Sequence, residues 1–166
     1  MPLRPTQLLS AILAVLLTAP SNAQRATSVP REYPHPRVIK IVFDLNSSPA
    51  TPSDANPGLV AIANLVRDYE SRPDRPRVEI AVVLHANTTD LAVDAAPARN
   101  GSIALMRSLA GKGVAFVVSR QSLASRGIAE REVQPFVRFG PTATVIFLDY
   151  EANGYIFDSS RSLANE

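Results

Sequence analysis

Three polar side chains stand where chemistry could occur: Asp44, His85 and Ser119, each at the end of a short apolar run. An acid, an imidazole and a hydroxyl could serve as orienting group, general base and nucleophile in a hydrolase-type reaction. Such a triad is recognised by geometry, however, and Val118-Ser119-Arg120 lacks the flanking glycines of the G-x-S-x-G turn that exposes a nucleophilic serine. A second chemistry is binding. Arg120, Gln121 and Ser122 open what reads as a helical turn after Ser119, adding cationic, amide and hydroxyl donors and backbone N–H groups at a positive helix end. With His85 they would seat a small anion or polar ligand. The third reading is structural, with Asp44 and Ser122 as local caps and His85 as a hydrogen-bonded loop residue.

Other chemistries are excluded or disfavoured by composition. The chain has no cysteine, which removes disulfides, thiolate metal sites and thiol nucleophiles together. His35, the other histidine, lies in a proline-rich stretch, and Asp90 and Asp94 make no recognised ligand spacing with His85, so no metal and no cofactor are expected. The two acids read as a solvated helix face. Gly111-Lys112-Gly113 follows a helical segment, not a strand, and so reads as a helix C-cap, not a phosphate loop. Three N-x-S/T triplets, at Asn46, Asn87 and Asn100, matter only on a eukaryotic secretory route.

The elements that must position these residues follow from periodicity. Val38 to Phe43, Val78 to Leu84 and Val114 to Val118 are short β-branched runs, apolar almost throughout, as in parallel strands buried on both faces. Between them, Gly58 to Glu70 and Ser102 to Ala110 carry apolar residues at three- and four-residue spacing; Asn56-Pro57 precedes the first, and Gly111 and Gly113 close the second. Strand and helix alternate, which implies right-handed crossovers and a parallel sheet covered by helices. Ligands of such sheets bind at the carboxyl ends of the strands, where Asp44, His85 and Ser119 fall. Thr142 to Asn153 is rich in β-branched residues but reads as a helix, capped by Thr142 and stopped by Gly154, with Phe136 to Phe139 and Tyr155 to Phe157 as flanking strands.

The chain has 166 residues. Met1 to Ala23 holds Arg4, the apolar run Leu8 to Ala19 and the small-residue exit Pro20-Ser21-Asn22-Ala23, the order of a cleaved export signal. The apolar run falls short of the ~20 residues a membrane-spanning helix needs. Cleavage after Ala23 leaves 166 − 23 = 143 residues, enough for one core, destined for the periplasm or the exterior with no membrane attachment. Residues 24–36 read as a flexible, proline-rich leader, 37–158 as a single domain and 159–166 as a polar tail. The shortened chain has 16 − 15 = +1 charge, with bases and acids mixed, which is no footprint for nucleic acid.

Taken together, VIKIVFDL, NPGLVAIANLVRDY, VEIAVVLHANTTDLAV, GVAFVVSRQSLASRGI and GPTATVIFLDYEANGY resemble the DsrE/DsrF-like family, in particular its exported branch, over Arg37 to Phe157. The resemblance implies a three-layer α/β fold with about five mostly parallel strands in a flavodoxin-like (DsrEFH-like) layout, and a homo-oligomer, trimer or hexamer. It also implies a link to sulfur metabolism, in which members carry sulfur as a persulfide on a cysteine near a strand end. In the C-x-Q-S block where that cysteine is expected, this chain reads Ser119-Arg120-Gln121-Ser122, and the usual H-G after the second strand reads His85-Ala86. A hydroxyl cannot carry sulfane sulfur. The expectation is therefore a non-catalytic protein that binds a small anion, sulfur oxyanions included, or a partner protein through Asp44, His85, Ser119, Arg120, Gln121 and Ser122. Its rivals are a hydrolase using Ser119 and His85, and a purely structural oligomeric protein.

Overall fold

The alternating pattern becomes, in a computed structural model, five strands and four α-helices among the described residues, which are 37–45, 47–72, 76–96 and 98–159. The export signal, the leader and nearly all of the polar tail lie outside them. In chain order the elements are β1 (Val38–Asp44), α1 (Pro57–Glu70), β2 (Arg77–Leu84), a 3-10 segment (Ala86–Ala92), α2 (Ile103–Gly111), β3 (Ala115–Ser119), α3 (Arg120–Ser125), β4 (Val137–Gly140), α4 (Ala143–Ala152) and β5 (Ile156–Ser159). A short 3-10 turn, Glu130–Glu132, precedes β4.

Local chemistry fixes the helix starts. The Asn56 side chain accepts from the Leu59 N–H at 3.2 Å and Pro57 occupies the first turn of α1, where its missing donor costs nothing. In α4 the Thr142 hydroxyl accepts from the Val145 N–H at 3.3 Å, and Gly154, at φ +81°, takes the left-handed conformation beyond its end. These two stops outweigh the strand preference of the β-branched residues between them. Lys112 caps α2 and Gly113 sits at φ +92°, as expected of a C-cap.

All strand pairs are parallel and the sheet order is β4-β3-β2-β1-β5. The expected three-layer α/β class is the one found; the strand order refines it, since flavodoxin runs 2-1-3-4-5. On one face Phe43, Val82, Leu84, Phe116 and Val118 pack against Leu59 and Ile62 of α1, Met106 and Leu109 of α2 and Leu123 of α3. On the other, Val42, Ala81, Val83 and Val117 meet α4 through Ile146, with Phe147, Tyr150 and Tyr155 beside it. Residues of both faces are fully buried, so the strands lose polar alternation. Among the described residues one face has three α-helices and the other has one. Among the described residues no helix is long and apolar enough to cross a membrane.

Candidate functional site

Strand register decides which polar groups meet. Asp44 pairs with Val83, and Val83 and Val117 face α4; two residues on from each, His85 and Ser119 therefore fall on the α4 side of the sheet as well. All three expected strand-end residues lie on one rim.

Asp44 and His85 are brought together directly, with His85 Nε2 2.8 Å from Asp44 Oδ1 and both side chains largely buried. Phe147 of α4 meets the imidazole edge-on, ring centres 5.9 Å apart, and Phe157 of β5 meets Phe147 in the same way at 5.1 Å. An acid holds the imidazole against an aromatic wall, an arrangement that fixes the ring's orientation. Asp44 is thus a partner of His85.

Ser119 is fully buried, and its hydroxyl is committed twice. It accepts from the Ser122 N–H at 3.2 Å as the N-cap of α3 and donates to the Pro141 carbonyl at 3.3 Å. The capping role expected for Ser122 therefore belongs to Ser119, while the Ser122 hydroxyl accepts from the Ala86 N–H at 3.4 Å. Neither bond of the Ser119 hydroxyl goes to His85, so nothing activates it as a nucleophile.

Several of the expected anion donors are already engaged. The Gln121 N–H donates to Pro141 O at 3.2 Å and the Ser122 N–H to Ser119, so the first turn of α3 does not present them to a ligand. Arg120 turns to Glu130, with Nε 2.7 Å from Oε1, and lies over the Phe139 ring, 5.1 Å from its centre. Gln121 is exposed and makes no side-chain hydrogen bond among the described residues.

Asp90 and Asp94 also differ from the solvated helix face expected of them. Asp90 belongs to the 3-10 segment and pairs with Arg126 beyond α3, while the Asp94 N–H donates to Glu132 O at 2.7 Å. Asn100, one of the three glycosylation-type asparagines, is buried, and its amide donates to Leu91 O at 3.0 Å and Val93 O at 3.2 Å. Among the described residues no three His, Asp or Glu side chains gather to hold a metal ion.

Two features escaped the sequence. Ala86 has φ +47°, a left-handed residue directly after His85 and the non-glycine positive φ among the described residues. A cavity of about 360 Å³ lies at the opposite, amino-terminal end of the strands, floored by Val66, Val78, Ile80 and Val114 and edged by Tyr69 and Lys112. No sequence motif marks it.

Comparison with known proteins agrees with this architecture. The model of the DsrE/DsrF-like family matches residues 40–157. No curated protein matches the chain. Among solved structures, the protein of unknown function MTH1491 from Methanobacterium thermoautotrophicum is similar with a TM-score of 0.52, at 13% identity over 74% of this chain and 97% of its own. At that identity the likeness concerns the fold.

Proposed function

The chain belongs to the DsrE/DsrF-like family, and from that premise we propose that it is an exported, thiol-free member that acts by binding and not by covalent sulfur transfer. Its signal would be removed after Ala23, and it would work as an assembly of copies outside the cytoplasm, with neither nucleic acid nor membrane as partner. The observation that carries this reading is Ser119. It stands where the family resemblance places the sulfur-bearing cysteine, yet it is fully buried and spends its hydroxyl on Ser122 and Pro141. Sulfur relay needs an accessible thiolate, and this position supplies neither sulfur nor access.

Of the two ligand classes expected, a small anion and a partner protein, the geometry favours the partner. The Gln121 and Ser122 N–H groups that would hold an anion are bonded within the chain, Arg120 is paired with Glu130, and Asp44 adds a carboxylate beside His85. The α4 and β5 side instead leaves Leu148, Ile156 and Phe157 exposed at 58%, 65% and 42%. Exposed apolar groups in one region are the usual mark of a protein contact.

The test combines three measurements on the chain lacking Met1–Ala23, which retains the compact unit Pro34–Glu166. Calorimetry with thiosulfate, sulfite, sulfate and phosphate should show no heat; saturable binding of any one would replace the partner with an anion. A panel of esters and phosphoesters should remain unhydrolysed, and turnover lost in Ser119→Ala would establish the hydrolase instead. Sedimentation should show an oligomer, and a clean monomer at micromolar concentration would remove the assembly.

A further inference from the structure

Helix α4 is apolar on two opposite sides. Inward it sends Ala143, Ile146, Phe147 and Tyr150 to the sheet. Outward, Val145, Leu148 and Ala152 fall at i, i+3 and i+7 and are all exposed, Leu148 the most at 58%. At 100° per residue these three make one stripe along the outer face, with Thr144 and Glu151 on one flank and Asp149 on the other. A surface helix of an isolated domain needs only the inward set. The spacing of the outer one is that of a helix-packing seam.

The charges on α4 are placed against its own dipole. Asp149 and Glu151 lie in its carboxyl-terminal half, no base occupies its last turn, and neither carboxylate pairs with a base among the described residues. Carboxylates favour the amino-terminal end of a helix, where unpaired N–H groups make a positive pole. The amino-terminal half of α4, Ala143 to Ile146, carries no charge at all. A second α4 laid antiparallel on the first would bring the acids of each helix beside the positive end of the other, with apolar stripe on apolar stripe. A parallel arrangement would set acid against acid.

We propose that two copies of this chain pack α4 against α4, antiparallel, about a two-fold axis near Leu148. The contact specifies a partner and a face for the assembly reading above, on which it rests. A helix of 10 residues is about 15 Å long, so this seam is at the small end of specific interfaces. Phe157 extends it on the β5 side, where its ring meets Phe147. The same contact would wall off the Phe147–Phe157 flank of His85.

The absence of cysteine makes the test clean. In Leu148→Cys each thiol should meet its own counterpart across the axis, at an effective concentration of about millimolar. Under mild oxidation at micromolar protein, disulfide dimer should therefore form at least about ten-fold faster than in Val60→Cys, an equally engineered thiol on the exposed side of α1. Leu148→Glu should shift the sedimenting species to smaller mass while leaving the far-UV circular dichroism spectrum unchanged, because the side chain points to solvent within one copy. If the wild type is oligomeric but Leu148→Cys cross-links no faster than Val60→Cys, this contact is refuted and the assembly stands. If the wild type is a monomer across about 1 to 100 μM, both fall.

Discussion

Ala86→Gly should stabilise the protein. Ala86 opens the 3-10 segment at φ +47°, its side chain exposed and its N–H directed to the Ser122 hydroxyl at 3.4 Å. A left-handed conformation costs an L-residue about 1–2 kcal/mol, which glycine does not incur. Glycine also loosens the unfolded chain, at a cost of about 0.4–1 kcal/mol. The difference leaves a net gain on the order of 0.5–1 kcal/mol, equivalent to a rise of about 2–5 °C in Tm for a domain of this size. Urea unfolding reads the same quantity as a higher midpoint at constant slope. Two controls isolate the backbone term. Ala61→Gly, inside α1, should lose about 1 kcal/mol because its helical φ favours alanine. Ala86→Val should be worse than wild type, since a β-branched side chain is a stronger outlier at positive φ. A fall in midpoint for Ala86→Gly, or equal effects at positions 61 and 86, would refute the reasoning.

Three further outcomes follow from other contacts. Ser119→Cys places a thiol at the end of β3 that, fully buried, should resist alkylation in the folded protein; labelling as fast as that of Val60→Cys would overturn this. Gly140→Ala should destabilise by about 1–3 kcal/mol in denaturant titration, because a Cβ there would lie 2.4 Å from Ile146 Cγ1, under the start of α4; a neutral effect would mean that Ile146 moves aside freely. Burial raises the Asp158 carboxyl above its usual range, so the folded state holds that proton longer and stability falls as pH rises through the interval above about pH 4. Asp158→Asn should accordingly be more stable than wild type at neutral pH and equal to it in acid, and an advantage that persists below pH 4 would assign the effect elsewhere.

Much of the fold was legible because its signals are local. The strands announced themselves as β-branched runs, Asn56-Pro57 marked the start of α1, and Thr142 with Gly154 bracketed α4 despite its strand-like composition. The site was legible only in part. That Asp44, His85 and Ser119 share a rim follows from strand ends and period two, which the sequence carries. What each residue bonds to does not. Arg120 finds Glu130 through a turn that only the packed chain defines, and Ser119 reaches Pro141, 22 residues away, only because β3 and β4 pair with Ser119 beside Gly140. Asp90 and Arg126 are joined in the same manner, across 36 residues. Pairings of this kind depend on register and loop path, and no spacing rule encodes them.

Serine at position 119 shapes the rest of the site. The Ser119 hydroxyl ties three elements at one point: the end of β3, the first turn of α3 and the loop from β4 into α4. A thiol would make the same bonds longer and weaker, since sulfur is a poor donor and acceptor. Serine therefore fits a site in which holding the Pro141 loop matters more than reactivity. That loop carries Thr142, whose cap sets where α4 begins and which side of it meets the sheet. With Ile146 seated over Gly140 and Phe147 against His85, the rotation of α4 is fixed, and Val145, Leu148 and Ala152 must face outward. Ser119 thus acts through the Pro141 loop and Thr142 to set how α4 sits on the sheet.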